Sequence, residues 1–375
     1  MNISEYRKEF PTLEKKTYLN TCSLGALSRR SKEYVHEFLE QWEEFGAWYF
    51  IWMKELAEVK ELLAKIINAD TEEIALGHSI STLLGTISSG FRFRTGGSII
   101  VCDLDFPTAN YQWLAKKPIG LETKILESGD KISVSPDEFK KAIDEKTELI
   151  STSHVFFSTG NIQDIETINR YSHEKEVPCL FDAYQSVGQV PVDVKKMNID
   201  MLLGGGLKWL LGGPGITFLY IRKDLINKLE PTSVGWFGAK DQFGFSATDF
   251  SLSDTARRFE TGTPSMAAVK ALKGGLETIL DIGLDNIQEA TRSITFELTD
   301  RLENAGFSLK TAENPVNRSA IVMVRHDNPS GAVSELSERG IIVDFRKECI
   351  RVSPYFYNTS EEIEKFVNVL KEISK

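Results

Sequence analysis

The chain has 375 residues, of which 41% are hydrophobic and 26% are charged, fractions typical of a folded globular protein and not of a disordered or fibrous one. Its formal net charge is −10, and no long lysine or arginine cluster is present, so we expect neither a nucleic-acid partner nor binding to anionic lipid. No stretch approaches the roughly 20 apolar residues that span a bilayer, and the charged amino terminus lacks an apolar signal core. These features predict a cytoplasmic protein without a membrane partner.

Cysteine and histidine are too scattered to predict a disulfide framework or a metal site. The four cysteines, Cys22, Cys102, Cys179 and Cys349, contain no CxxC pair. None of the five histidines stands at a metal-ligand spacing from another histidine or from a cysteine. We therefore expect no bound metal.

The first long segment, residues 31–69, has apolar residues at helical spacing, with Leu56, Val59 and Leu63 at i, i+3 and i+7. Short β-rich runs separated by helical segments follow, and this alternation predicts an α/β fold with a mostly parallel sheet covered by helices. The predicted strands are residues 74–77, 98–103, 124–128, 148–155, 178–182, 199–204 and 216–221.

The last third of the chain has a different pattern. Helical segments at 266–282 and 285–304 precede short predicted strands at 319–325, 340–345 and 349–353, and Thr359 and Glu362 have the spacing of a capping box that begins a closing helix. Helices followed by a small mixed sheet predict a separate α+β domain. We therefore expect an N-terminal arm at 1–30 that packs with the small domain, a large α/β domain at 31–264 and a small domain at 265–375.

The most informative segment runs from residue 180 to residue 220. Asp182 ends a predicted strand, Gln185 follows three residues later, and Lys208 lies in a glycine-flanked turn after the next strand. Ligands of open α/β sheets bind at the carboxyl ends of the strands, so these side chains should face one crevice. Burial of a lysine among apolar residues favours its neutral amine, which is the form that attacks a carbonyl carbon. The alternative is that Lys208 reaches solvent from a surface loop while Asp182 caps a helix.

This segment resembles the fold-type I pyridoxal-phosphate enzymes, and within them the class-V aminotransferase family, which includes cysteine desulfurases, kynureninases and isopenicillin N epimerases. The resemblance extends over nearly the whole chain. It implies that Asp182 binds the pyridine nitrogen of pyridoxal 5′-phosphate, that Gln185 reaches the phenolic oxygen, and that Lys208 forms the Schiff base with the cofactor. A carboxylate beside the ring nitrogen keeps it protonated, so the ring can accept electrons from the substrate α-carbon.

Two further segments resemble family motifs for the cofactor. The turn HSISTLLG at 78–85 matches the phosphate-binding turn, which implies Ile80, Ser81 and Thr82 as contacts, although serine and threonine at a helix start are often simple caps. DFPTANYQW at 105–113 is similar to kynureninase segments in which a phenylalanine stacks on the cofactor ring, which implies Phe106.

Three more residues extend the resemblance. Trp236 in GWFG matches a tryptophan near the phosphate, and Thr263 in RRFETGTPS matches a threonine that reaches the phosphate of the neighbouring subunit; a packed tryptophan and a helix-capping threonine are the alternatives. The match at Thr263 implies a homodimer with shared active sites. Arg351 matches an arginine that binds the substrate carboxylate, and its planar fork suits that group; the alternative is an internal salt bridge.

The sequence also departs from the family pattern. No cysteine occupies residues 326–348, where desulfurases carry a nucleophile on a mobile loop, and Cys349 lies on the same predicted strand as Arg351. Phe157 stands where desulfurases show an asparagine, and Leu207 replaces a histidine or tyrosine before the lysine. We therefore expect transamination of a small α-amino acid first, a kynureninase-like or β-elimination lyase second and desulfuration third, with a non-catalytic cofactor-binding protein as a further alternative.

Overall fold

The computed structural model describes residues 3–374, and within this range the chain forms thirteen α-helices and twelve β-strands. The helices are α1 (Ile3–Tyr6), α2 (Thr12–Lys15), α3 (Arg29–Phe45), α4 (Tyr49–Ile67), α5 (Ile80–Ser89), α6 (Pro107–Leu114), α7 (Pro136–Ala142), α8 (Ile165–His173), α9 (Lys223–Ile226), α10 (Met266–Ile282), α11 (Leu284–Asn304), α12 (Pro329–Glu338) and α13 (Ser360–Ile373). No helix among these residues has the length and apolar character needed to cross a membrane.

The strands form three sheets. They are β1 (Thr17–Tyr18), β2 (Ile74–Gly77), β3 (Ser98–Cys102), β4 (Glu122–Leu126), β5 (Thr147–Ser153), β6 (Cys179–Asp182), β7 (Met201–Gly205), β8 (Thr217–Ile221), β9 (Val322–Arg325), β10 (Ile341–Ile342), β11 (Asp344–Arg346) and β12 (Cys349–Val352). The large sheet has the order β2-β8-β7-β6-β5-β3-β4, and only β8 runs antiparallel to the others. The predicted α/β fold with a mostly parallel sheet is confirmed.

Both faces of the large sheet are buried. Neighbouring residues on a strand point to opposite faces, and each face packs against its own set of helices. Ile99 of β3 and Leu180 of β6 pack in the cluster that contains α5 and α6. Ile100 and Phe181, one residue further along each strand, pack in the cluster that contains α4 and α10. Because helices cover both faces, the sheet can present polar side chains only at the ends of its strands.

The small sheet, β11-β12-β9, is antiparallel and has its own core with α11, α12 and α13. The predicted capping box of α13 is confirmed: the Glu362 backbone N–H donates to Thr359 Oγ1 over 3.4 Å, and the Thr359 N–H donates to the Glu362 carboxylate over 3.0 Å. The domain limits stay a prediction. Helix α10, which lies beyond the predicted limit at residue 265, packs into the core of the large sheet.

Two predicted elements are divided in the structure. The helical segment at 31–69 breaks after Phe45, because Gly46 adopts a φ of 68° and its N–H closes α3 on the Trp42 carbonyl. The predicted strand at 340–345 becomes two strands: β10 pairs in parallel with β1, and β11 pairs with β12. The N-terminal segment is thereby joined to the last third of the chain, and Arg7 adds an ion pair of 2.9 Å to Glu362.

Candidate active site

The carboxyl edge of the large sheet brings together the turns that follow its parallel strands. Gly77 at the end of β2 and Gly205 at the end of β7 both pair with Thr217 of β8. Asp182 ends β6 and pairs with Leu203 of the adjacent β7. The start of α5, the Asp182 segment and the Lys208 turn therefore lie along one edge, where α/β proteins bind their ligands.

Lys208 lies partly buried in the turn after β7, with its Nζ 4.6 Å from the centre of the Tyr184 ring. Burial lowers the pKa of the amine from 10.5 to about 8. Cys22 and Asp182 oppose this shift, whereas the positive charges of Arg351 and Arg346 add to it. At pH 7 about a tenth of the amine is thus neutral and nucleophilic, far more than in an exposed lysine.

The Asp182 carboxyl sits beside this amine. Its Oδ1 accepts a hydrogen bond of 2.8 Å from the Tyr184 N–H, and Oδ2 accepts none from the part of the chain that the structure describes. Burial raises the pKa of this carboxyl, while the Tyr184 N–H and the Lys208 charge lower it. A cation near Oδ2 would favour the ionised form further, so the position suits a positively charged ring nitrogen.

Gln185 is buried one turn further on, with its side-chain amide held by two protein groups. Its Nε2 donates to the Cys22 carbonyl over 3.1 Å, and its Oε1 accepts from the Trp209 indole over 2.9 Å. The second N–H of this amide makes no hydrogen bond to any described residue. Gln185 thus keeps one donor for the role that the family resemblance implies.

The N-terminal segment packs directly on the Lys208 turn. The Gly25 N–H donates to the Leu207 carbonyl over 2.9 Å. A Cβ on Gly25 would lie 2.1 Å from the Lys208 carbonyl oxygen, so only glycine allows this approach. The approach brings Ser23 to the edge of the site.

Arg351 of β12 is almost fully buried, and its guanidinium has three partners. Nη2 donates to Ser23 Oγ over 2.7 Å and to Asp344 Oδ2 over 2.8 Å, and Nη1 donates to the Phe157 carbonyl over 3.2 Å. Nε is buried and has no hydrogen-bond partner among the described residues. The internal salt bridge that the sequence left as an alternative is therefore present, and the Nε–H keeps no partner among the described residues.

Phe106 reaches the same region from the N-cap position of α6. Its ring is 46% exposed and makes an edge-to-face contact with Phe157, with 5.1 Å between the ring centroids. Phe157 is the residue whose carbonyl binds Arg351. Phe106 thus stands near Arg351 with part of its ring exposed.

The start of α5 presents the predicted phosphate contacts. Ser79 is the N-cap and accepts a hydrogen bond of 3.2 Å from the Thr82 N–H, and its hydroxyl is 2.9 Å from that of Thr82. Ser81 and Thr82 are exposed and Ile80 is partly buried. The Ile80 and Ser81 N–H groups begin the helix, where backbone donors and the helix dipole attract anions.

Trp236 and Thr263 lie on two loops that pack on each other beside α5. Gly235 approaches the Thr261 carbonyl so closely that a Cβ would be 1.7 Å away. A small cavity lined by His78 and Gly262 separates these loops from the turn before α5. No hydrogen bond, ion pair or ring contact within residues 3–374 joins Trp236 or Thr263 to Lys208, and the same holds for Ile80, Ser81, Thr82 and Phe106.

Residues 326–348 contain no cysteine; they form α12, β10 and β11 and end in a two-residue hairpin before β12. β11 and β12 pair from Asp344 with Arg351 to Arg346 with Cys349, and only Lys347 and Glu348 connect them. Cys349 is 1% exposed, and burial raises the pKa of its thiol. All four cysteines are free and buried. A mobile thiolate is therefore missing from this hairpin.

Four residues at the site were missed in the sequence analysis: Ser23, Tyr184, Asp344 and Arg346. Asp344 and Arg346 are two residues apart on one strand and face Arg351 and Cys349 of the next strand. An acid and a base at this spacing, followed by a tight turn, could have indicated that they share a face with Arg351. For Ser23 no comparable local signal exists, because its partners are more than 300 positions away.

Comparisons with known proteins agree with this geometry. The Aminotransferase class-V family model matches residues 50–366. The chain is 30% identical over 97% of its length to an uncharacterized aminotransferase, YcbU, of Bacillus subtilis, of which 96% is covered. It is 28% identical to a probable cysteine desulfurase of Methanothermobacter thermautotrophicus, over 100% of this chain and 98% of that protein. It is also 28% identical to a kynureninase of Bacillus thuringiensis, over 100% of this chain and 92% of that protein.

Solved structures share the fold at lower identity. An apo cysteine desulfurase of Thermococcus onnurineus superposes with a TM-score of 0.90 at 23% identity and covers 99% of this chain and 97% of its own. The cystine C-S lyase C-DES, in complex with cysteine persulfide, superposes with a TM-score of 0.90 at 22% identity, with 97% of this chain and 99% of its own covered. These similarities confirm the fold-type I architecture.

Pyridoxal phosphate fits the residues at this edge. Its aldehyde needs a neutral amine, and burial supplies one at Lys208. Its ring nitrogen needs a carboxylate, and Asp182 has an oxygen without a partner among the described residues. Its phosphate needs backbone and hydroxyl donors, and the start of α5 offers them. The chain therefore belongs to the aminotransferase class-V family and is a pyridoxal-phosphate-dependent enzyme.

Proposed function

We propose that the protein is a homodimeric, cytoplasmic transaminase that acts on a small α-amino acid through Lys208. The observation that carries this proposal is that one short segment joins the Lys208 turn to Arg351: the Gly25 N–H donates to the Leu207 carbonyl, and Ser23 Oγ accepts from Arg351 Nη2. A substrate bound by its carboxylate at Arg351 presents its α-carbon to the lysine. Bound pyridoxal phosphate supplies the electron sink that makes the α-proton acidic.

The chain's own residues then have distinct tasks. Arg351 binds and orients the carboxylate through the N–H groups that its protein partners leave unpaired. Lys208 Nζ accepts the proton from the α-carbon and returns it as a general acid. Asp182 keeps positive charge at the ring nitrogen, and Phe106 covers the ring face. Ile80, Ser81 and Thr82 hold the phosphate, and Gln185 donates to the phenolic oxygen.

The tight hairpin at Lys347 and Glu348 supports this choice over desulfuration. Desulfuration needs a thiolate that moves to the substrate sulfur, and Cys349 is buried within a paired strand. A lyase of the kynureninase kind is a second candidate, because a protein named kynureninase aligns with all of this chain. Both reactions begin with the same proton transfer at the α-carbon and differ in the bond that breaks next.

An exposed aromatic surface supports the homodimer. The Trp236 ring contacts those of Tyr49, Phe243 and Phe245. Phe245 is 75% exposed, and Phe50, next to Tyr49 in α4, is also exposed. Large exposed apolar surfaces of this kind mark interfaces. A partner subunit seated there would lie beside the loops of Trp236 and Thr263, as a shared active site requires.

A screen of the twenty proteinogenic amino acids against holoenzyme tests the proposal. We expect one or a few to change the visible absorption spectrum and to yield a keto acid without free ammonia, and an added keto acid to restore the starting spectrum. Ammonia or a cleaved side chain as product would instead establish the lyase. Borohydride reduction should attach the cofactor to the Lys208 peptide, and attachment to another lysine would refute the assigned role.

A further inference from the structure

The carboxylate of Asp344 is shared by two guanidinium groups. Its Oδ2 lies 2.8 Å from Arg351 Nη2 and 2.7 Å from Arg346 Nη1, and it also accepts a hydrogen bond of 2.9 Å from Ser23 Oγ. Its Oδ1 accepts from the Phe345 N–H over 2.7 Å. We call Ser23, Asp344, Arg346 and Arg351 the Asp344 cluster.

The hairpin register places the charged members of the Asp344 cluster on one face. Asp344 is directly opposite Arg351, and Arg346 is two residues along the same strand. Side chains that are opposite or two apart point to the same side of a sheet. The residue between them, Phe345, and its pair Ile350 point to the other side. Arg346 therefore faces the same way as the arginine that we place at the substrate carboxylate.

The charge of Arg346 also acts on Lys208. Its positive charge, together with that of Arg351, lowers the pKa of Lys208 after the larger effect of burial. Burial tends to raise the pKa of Asp344, but the Phe345 N–H and the two arginines outweigh it and hold that pKa below its usual value. Asp344 is thus a stable anion with both arginines as partners.

The two arginines and one carboxylate leave one positive charge in excess. If Asp344 paired with Arg351 alone, that pair would be neutral and would attract a substrate carboxylate only weakly. We propose that Arg346 is a positioning residue that takes up the charge of Asp344, so that Arg351 keeps a net positive charge for the α-carboxylate of the substrate. This inference rests on the proposed function, because it assumes an amino-acid substrate.

Charge-removing variants, singly and combined, test the proposal. Arg346→Gln removes the excess charge, Asp344→Asn increases it, and the double variant restores a single positive charge on Arg351. The probes are the proteinogenic amino acid with the lowest dissociation constant for wild-type holoenzyme and the amine left after its decarboxylation. Both are titrated by the initial change in the visible absorption spectrum, before any keto acid forms.

We expect Arg346→Gln to raise the dissociation constant of the amino acid by roughly three- to tenfold and Asp344→Asn to lower it by a similar factor. The double variant should lie close to wild type, and Arg346→Lys should largely preserve binding. The amine should respond little to any of these changes. In steady-state assays KM should change in the same direction while kcat changes less.

Arg339→Gln provides the matched control. Arg339 forms an ion pair of 2.7 Å with Glu372 and its side chain is 44% exposed, compared with 2.7 Å and 39% for Arg346. This control should leave both dissociation constants unchanged. A double variant that binds worse than either single variant would show a purely structural role and would overturn the inference. A wild type that binds the amine as tightly as the amino acid, or binds no amino acid, would instead refute the proposed function.

Discussion

At the scale of single residues, Lys208 shows how burial prepares a functional group. An exposed lysine has a pKa near 10.4, and few of its amines are neutral at physiological pH. Burial brings the pKa of Lys208 to about 8 even though Asp182 opposes the shift. The neutral amine is therefore available for attachment to the cofactor aldehyde before any substrate binds.

The attachment of pyridoxal phosphate to apoenzyme should depend on pH accordingly. The pKa of the Lys208 amine is about 8, so about a tenth of the amine is neutral at pH 7 and about nine tenths at pH 9. We expect the rate constant of attachment, followed by absorbance, to rise with a midpoint near pH 8 and then level off. Asp182→Asn should move the midpoint lower, because the aspartate charge favours the protonated lysine. A midpoint near 10.5 would contradict the effect of burial.

Asp182 should separate cofactor binding from proton transfer. Asparagine has nearly the same shape as aspartate but cannot hold positive charge at the ring nitrogen. We expect Asp182→Asn to bind the cofactor and to slow exchange of the substrate α-proton by roughly two orders of magnitude or more. Deuterium exchange measured by NMR gives the rate, and an unchanged melting temperature of the apoenzyme serves as the control for folding. Unaltered exchange would mean that Asp182 is structural.

At the scale of elements, the hairpin of β11 and β12 fixes the position of Cys349. Its loop consists of Lys347 and Glu348, and the Lys347 φ of 47° closes the turn. A loop of this length has no freedom to carry a thiol to a substrate. Cys349, at the first position of β12, is buried within the sheet.

Incubation of holoenzyme with cysteine should therefore leave no persulfide on the protein. Burial raises the pKa of the Cys349 thiol, so the reactive thiolate is scarce at neutral pH. Mass spectrometry of the intact chain, with and without prior reduction, would detect an added sulfur atom. A Cys349→Ser variant should give the same spectrum as wild type. Persulfide on Cys349 in wild type, and its absence in the variant, would restore desulfuration as the function.

At the scale of the whole molecule, the proposed dimer makes a prediction about shared sites. Lys208→Ala removes the amine, and Thr263→Glu places a negative charge where we expect the phosphate of the neighbouring site. If each site takes Lys208 from one subunit and Thr263 from the other, a heterodimer of the two inactive variants has one intact site. Unfolding and refolding an equal mixture should then recover about a quarter of wild-type activity. No recovery, although heterodimers form, would place both residues in one subunit's site.

Most of the candidate residues could be proposed from the sequence because they follow strands. Asp182 and Lys208 are recognisable from local pattern alone: each comes at or just after a β-rich run, and strand ends of a parallel sheet converge. Arg351 was recognisable for a similar reason, as an arginine between apolar strand residues. The two partners that hold the Gln185 amide were not predictable, because Cys22 and Trp209 meet it only through packing of distant segments.

Local pattern thus determined the fold class and the order of the strands along the chain, and it singled out the lysine, the aspartate and the arginine as candidates. Tertiary structure alone decided which groups surround them. Ser23 and Asp344 are 321 positions apart, and they meet because β1 pairs with β10 and Gly25 fits against the Lys208 turn. The register of β11 on β12 then decided that Asp344 and Arg346 face Arg351, since a shift of one residue would have turned both side chains to the opposite face.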